Sequence, residues 1–152
     1  VCSSDLESKS IFRVFAWMIP SAVFLLIAYG FISSYQTGLQ QLKSWVIWNS
    51  VLAGAFTTVM MGHPISIITA FISAPITSLN PFLACGWFVG LTEAAIRKPT
   101  VDDINRVPDD IFHIKRFFKN RFLKAMVIMI FANIGSSIGT LIAGADIIRN
   151  LL

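Results

Sequence analysis

An all-α bundle embedded in a membrane is the fold this sequence predicts, and three observations predict it. The 152 residues are 55% hydrophobic yet only 13% charged, with a mean hydropathy of +0.72. A soluble domain is about half apolar too, but about 25% charged, so the low charge points to lipid more than the apolar fraction does. The apolar residues gather into five segments, about 11–33, 45–61, 64–79, 81–96 and 125–148. The stretch from Gly62 to Arg97 is apolar while carrying Pro64, Pro75 and Pro81 together with His63, Asn80 and Glu93. A proline removes a backbone donor and starts or breaks a helix. In lipid such a break survives only where other protein or a polar cavity satisfies the freed carbonyl. The expected architecture is a polytopic membrane helix bundle with a proline-broken helical hairpin and an interfacial amphipathic helix.

Residues 1–10 show no hydrophobic or amphipathic pattern and read as an N-terminal truncation edge or linker, so the transmembrane domain is 11–152. Segment 11–33 has the roughly 20 apolar residues a span requires, and Pro20 is placed to kink it. No small-residue cleavage site marks it as a signal peptide. A polar linker, 33–44, contains Gly38 and glutamines. In the second span, 45–61, Trp45 and Trp48 suit the membrane interface. Segments 64–79 and 81–96 have about 16 residues each, short against the usual 17–25. They are either two short spans or a re-entrant hairpin of half-helices. Pro64 and Pro81 suit a first helical turn, and Asn80-Pro81 is the turn signal that joins the two.

The polar loop 97–124 separates the hairpin from the last span, 125–148. Thr100 with Asp103 makes a capping-box-like start, where Asp102 and Asp103 are favourable. Pro108 interrupts, and Asp109 and Asp110 are expected to open a second short helix. Ile111, Ile114 and Phe118 share one face, opposite Lys115, Arg116 and Lys119, which predicts a helix lying in the interface.

The net charge is +4, and eight of the twelve basic residues lie between Arg97 and Lys124. Arg97, Lys98, Lys115, Arg116, Lys119, Arg121 and Lys124 form the body of this juxtamembrane cluster. Its expected partner is a lipid bilayer with anionic headgroups. Nucleic acid is excluded, because Phe117, Phe118 and Phe122 read as interfacial anchors and no soluble aromatic platform accompanies them. Basic loops stay cytoplasmic, so 97–124 is expected inside a multi-pass protein of the cell membrane. The hairpin returns to that side, which puts Met61–Pro64 there too, the start of the first span inside near Lys9 and Arg13, and the C-terminus outside.

His63, Asn80 and Glu93 form the candidate polar intramembrane site. An ionisable group within a membrane is a functional candidate by default, but Glu93 stands four residues before Arg97, the spacing of a helical ion pair. Pairing with Arg97 or Lys98 is its plainer role. Asp146 has the same ambiguity, three residues before Arg149. His63 is either a proton relay or metal ligand, or a helix-entry histidine bonded to a carbonyl. The second reading is the plainer, since no second His, Cys or nearby carboxylate completes a site. Asn49, Asn80 and Asn133 suit interhelical hydrogen bonds. Two ladders of small residues, Gly86, Gly90 and Ala94, then Gly135, Gly139 and Ala143, place one face of each helix for close packing. Internal packing is the plainer use, a homodimer the sharper one. Cys85 reads as a small packed hydrophobe. No nucleophile elbow, phosphate loop or metal-ligand spacing occurs, so no catalytic residue, metal or cofactor is expected.

Gly62-His63-Pro64, the run Ala74-Pro75-Ile76-Thr77-Ser78-Leu79-Asn80-Pro81, Gly86, Gly90, Glu93-Ala94 and Arg97-Lys98-Pro99 resemble the C-terminal membrane domain of the TraB/PrgY (pheromone shutdown) family. Phe118–Arg121 and Asn133–Thr140 resemble its later segments, so the similarity covers roughly 45–148. The resemblance implies a C-terminal fragment that anchors and orients a soluble domain lying upstream, one that inhibits, sequesters or processes peptide signals and is related to proposed metal-dependent peptidases. The Gly-x-x-His elements of that soluble half do not occur here. The cytoplasmic placement of the basic loop puts such a domain inside, whereas a cell-surface role favours the outside. The alternative is a small transporter or channel module, with its polar site at the broken hairpin.

Overall fold

Two long antiparallel helices frame the computed structural model, which describes residues 18, 21–80 and 83–151. In chain order the helices are α1 (Ser21–Ser33), α2 (Tyr35–Val59), α3 (Pro64–Thr77), α4 (Cys85–Arg97), α5 (Val101–Asn105), α6 (Val107–Asp110), α7 (Ile114–Lys119) and α8 (Arg121–Leu151). The described residues contain no strand, so the chain is all-α as expected. Residues 1–17, Pro20 and Pro81, on which the truncation edge, the first segment's start and two proline expectations fall, lie outside them. One described helix, Arg121–Asn150, is both long and apolar enough to cross a membrane; Ser21–Ser33 and Pro64–Thr77 are apolar but shorter.

Helices α2 and α8 contain 25 and 31 residues. They run antiparallel: Ser44 meets Asp146, Asn49 meets Thr140, and Gly62 approaches Ile128. Their backbones nearly touch. A Cβ added at Gly139 would lie 2.9 Å from the Cα of Asn49, and one at Gly135 would lie 2.6 Å from the carbonyl oxygen of Leu52. The α3–α4 hairpin covers the half of the pair near Gly62, in a core of Ala53, Ala70, Ala74, Cys85, Val89, Ile128 and Ala132. The other half holds a second core, where Val23 and Ile27 of α1 meet Trp45, Ala143 and Ile147.

Several boundaries differ from expectation. The polar linker 33–44 is helical except at Ser34, which is extended (φ −165°, ψ 137°). Leucine and glutamine are good helix formers, and Gly38 admits the ring of Phe31 at the sharp α1–α2 turn. Trp45 packs inside the protein, 1% exposed in the second core, whereas Trp48 is 38% exposed. The last helix begins at Arg121 rather than near 125. Pro108 stands in the first turn of α6, so it starts that helix rather than interrupting one, and Asp109 and Asp110 lie in the same first turn, where they are expected. The expected interfacial helix is only six residues long and excludes Ile111, although Ile111, Ile114 and Phe118 are all exposed.

Pro75 does not break α3; it lies inside it. Its missing N–H frees the carbonyl of Phe71 four residues back, and the hydroxyl of Ser50 on α2 donates to that oxygen at 2.7 Å. Ser50→Ala is expected to lower stability by about 0.5–1.5 kcal/mol, the range for a net hydrogen bond. In a Pro75→Ala background, where the new residue supplies its own N–H, the loss should shrink. Unfolding titrations in detergent measure the cycle.

The glycines of α8 give a second test. Gly139→Leu is expected to cost more than the roughly 1–3 kcal/mol of ordinary overpacking, because the atoms it meets are backbone. Gly144 has nothing within 4 Å of an added Cβ. Gly144→Ala should therefore leave thermal stability unchanged or slightly raised in the same assay.

Candidate functional site at the charged end of the bundle

The chain turns from α2 into α3 through Met61 and Gly62. The N–H of Met61 bonds to the carbonyl of Thr58, and that of Gly62 to Thr57, the two bonds of a Schellman ending. Met61 takes the left-handed position usually given to glycine (φ 56°). This turn aims the start of α3 at the last turn of α4, where Glu93 lies fully buried.

The Glu93 carboxylate is held from three directions. One oxygen accepts from the backbone N–H of His63 at 3.1 Å and from the hydroxyl of Ser66 at 2.5 Å. The other accepts from Nε of Arg97, one turn later on the same helix. Arg97 also donates to the Met61 carbonyl at 3.4 Å, and Arg121 donates to the Arg97 carbonyl at 3.5 Å. The node ties the starts of α3 and α8 to the end of α4. Its chemistry is that of a latch. Every oxygen of the acid has a donor, and the described residues hold no group of three or more His, Cys, Asp or Glu suited to a metal ion.

His63 belongs to this node, but through its backbone. Its ring Nδ1 accepts from the N–H of Ile65 at 3.3 Å, so the side chain caps α3 and is not bonded to a carbonyl. Asn80 does not belong. It lies beyond the far end of the 14-residue α3, ~20 Å away at 1.5 Å per residue. The three-residue polar site is thus corrected to His63 and Glu93, completed by Ser66 and Arg97. Ser66 was the residue sequence reading missed. Its only signal is its place three residues after His63, in the first turn of α3.

The other polar residues also join helices. Asn49 donates to the Trp45 carbonyl and accepts from Ser136 and Thr140 of α8. Asn133 accepts from the N–H of Gly86 at 2.7 Å, capping α4 from the side of α8. Asp146 pairs with the hydroxyl of Ser44 rather than with Arg149. Gly86 faces the Met129 carbonyl and Asn133, Gly90 faces the Met129 side chain, and Ala143 is fully buried. The small-residue faces at Gly86, Gly135, Gly139 and Ala143 are therefore covered within the chain, while Gly90 and Ala94 border an open apolar groove.

Beyond the latch, the loop folds around Asn120. Its Oδ1 accepts from the N–H groups of Phe122 and Leu123, the N-cap pattern for α8. Its Nδ2 donates to the Asp103 carbonyl and the Asp110 carboxylate. Thr100 and Asp103 complete a reciprocal capping box. The bond from the Thr100 N–H, then that from its hydroxyl, holds the Asp103 carboxyl below its ordinary range. The cap's contribution is thus present at neutral pH and lost as pH falls through the lowered value. Within the basic cluster, Arg97 is committed to Glu93, and Lys98 ends α4 with φ 47°. Lys115, Arg116 and Lys119 are exposed on α7, and Arg121 and Lys124 stand in the first turn of α8.

A model of the TraB family protein, C-terminal domain, matches residues 11–152. The chain belongs to the TraB family. It is 30% identical over 97 residues to the uncharacterized protein MJ1365 of Methanocaldococcus jannaschii; the match takes in 62% of this chain and 24% of that protein. The chain thus spans about a quarter of the relative's length. No solved structure matches it.

Removing the acid from this TraB-family node should hurt more than removing a donor. Glu93→Ala is expected to cost about 3 kcal/mol, the low end for breaking a buried ion pair, because Arg97 remains partly in solvent. Ser66→Ala should cost about 1.5 kcal/mol, as for one bond to a charged group. Hydrogen exchange at the first turn of α3 reports both, and equal protection in wild type and Glu93→Ala would remove the latch.

Proposed function

We propose that this TraB-family domain is a multi-pass membrane anchor that fixes the position of a domain outside this chain. The observation that carries the reading is where polar and apolar side chains lie. Many small and polar side chains are inside: Asn49, Thr57, Ser66 and Glu93 are fully buried, beside Ala53, Ala70, Ala74 and Ala132 and among the larger Trp45, Ile128 and Ile147. The outside is large and apolar: Phe24, Leu25, Ile32, Ile68, Ile76 and Leu91 are each more than half exposed. Water gives no reason for that arrangement, whereas lipid favours it. Small residues and interhelical hydrogen bonds hold membrane helices together, and apolar side chains face the tails. The 13- and 14-residue helices of the hairpin reach ~20 Å each, short of a ~30 Å hydrocarbon core, which supports a re-entrant hairpin.

The domain being anchored acts on peptide signals, by the resemblance to the pheromone-shutdown group. In the archaeal relative the match leaves most of the protein for other domains. The transport alternative is the weaker reading, because Asn80 stands apart from His63 and Glu93 and the Glu93 oxygens are all engaged. The charged end, carrying Arg97–Lys124, faces the cytoplasm in this reading, and the end of α8 faces the opposite side.

The chain should stay in the membrane pellet after alkaline extraction. In a Cys2→Ser background, where the remaining Cys85 is buried, Phe112→Cys should react with an impermeant maleimide only from the cytoplasmic side, and Asn150→Cys only from the other. Release by alkali, or labelling of both positions from one side, would sink the proposal.

A further inference from the structure

One seam of the bundle is joined differently from the rest. Side chains bridge α2, α3, α4 and α8 by hydrogen bonds, through Ser50, Glu93, Asn133 and Asn49. Among the described residues no side-chain hydrogen bond ties α1 to another helix. Val23 and Ile27 of α1 meet Trp45 of α2 by apolar packing instead.

The buried side-chain polar atoms that lack a partner among the described residues fall in that same seam. They are Nε2 and Oε1 of Gln41 and the indole Nε1 of Trp45. The two residues stand one turn apart on one face of α2, and they are 2% and 1% exposed. Both face α1. A Cβ added at Gly30 would lie 2.1 Å from Oε1 of Gln41, and Trp45 shares the second core with Val23 and Ile27. Burying an amide or an N–H without a partner is costly. Folded proteins satisfy nearly all such groups, with protein or with ordered water.

We propose that the α1–α2 seam is a water site, holding a pair of buried waters of which one bridges Gln41 and Trp45. The bridging water accepts from the indole N–H and donates to Oε1 of Gln41. The second accepts from the Nε2–H of the same amide. The three protein atoms select this ligand. Two donors and one acceptor suit a neutral molecule that both gives and takes hydrogen bonds. An anion would meet the lone pairs of Oε1, and a cation would meet the two N–H groups. Size selects it further: the amide lies so close to α1 that Gly30 has no room for a methyl group, and water is the smallest molecule with the required chemistry. Waters in protein interiors serve groups of this kind. Protein covers both side chains, so the site is the same whether the bundle stands in lipid or in detergent. Packing and an exchangeable bridge then hold α1, and it is the helix that can shift on the frame without breaking a side-chain hydrogen bond between protein groups.

The test is solution NMR of the full chain in detergent micelles, with isotope-labelled tryptophan indoles and the Trp45 signal assigned by its loss in Trp45→Phe. The Trp45 indole proton should show a cross-peak to a long-lived bound water. It should also exchange with deuterium far more slowly than in the unfolded chain. Gln41→Leu should abolish the cross-peak, because the bridge loses its second anchor. A slowly exchanging Trp45 indole with no water cross-peak would overturn the proposal in favour of a dry seam, in which the Gln41 amide turns to bond the indole directly. Exchange as fast as in the unfolded chain would overturn it in favour of an α1 that does not stay seated. A cross-peak of unchanged strength in Gln41→Leu would remove the bridge. The wild-type chain alone decides the first two outcomes, so a variant that fails to fold leaves the test intact.

Discussion

The rest of the structure depends on α2 and α8 lying backbone against backbone. Gly135 and Gly139 have no side chain to hold the helices apart, and each meets main-chain atoms of the partner. Asn49, at the contact, has its amide and carbonyl both engaged, whereas Gln41 and the Trp45 indole, earlier on α2, are buried without a hydrogen-bond partner among the described residues. The same economy of volume continues along the pair: Ala53 and Ala132 are fully buried on one half, and Ala143 on the other. Small residues there let dispersion contacts run directly between the two helix backbones. The two cores stack end to end along this frame, one closed by the α3–α4 hairpin and the other by α1.

A helix end leaves backbone groups without partners, and this chain breaks its helices often. Four of these irregularities are mended by a side chain from outside the helix concerned. Ser50 of α2 serves the carbonyl that Pro75 frees in α3, and Asn133 of α8 serves the start of α4. Glu93 of α4 serves the N–H of His63 at the start of α3, and Asn120 serves the start of α8. Local irregularity is thereby converted into tertiary contact. Pro75 costs the bundle little, because it stands where a neighbouring helix presents the donor that its carbonyl partner lacks.

That division explains what the sequence disclosed. Local relations were legible: the four-residue spacing of Glu93 and Arg97, the Thr100–Asp103 capping box, the two small-residue ladders, and the need for Pro75 to be repaired by other protein. Each is fixed by helix geometry within a few residues. The partners were not legible. Nothing local says that Ser50 repairs Pro75, that Asn133 caps α4, or that Asp146 turns to Ser44 rather than Arg149. The grouping of Asn80 with Glu93 failed for the same reason, since both are polar groups near prolines but stand at opposite ends of the hairpin. The polar stretch 33–44 misled through composition: glutamines suggested a linker, but they are good helix formers, and Gln41 is buried in the second core's half of the frame.

The charged end shows how one acid sorts a cluster of cations. Glu93 is the only carboxylate buried among the described residues, and it takes Arg97, the cation nearest the bundle, out of the surface field. What remains positive lies farther out, on α7 and in the first turn of α8. That position is electrostatically costly. A helix N-terminus carries partial positive charge and favours acids, yet α8 has no acidic residue in its first turn and has Arg121 and Lys124 there. Asn120 satisfies two N–H groups but brings no charge. The balancing charge comes from the loop instead: Arg121 and Arg106 act on the Asp103 carboxylate, and Asn120 ties the start of α8 to the Asp110 carboxylate.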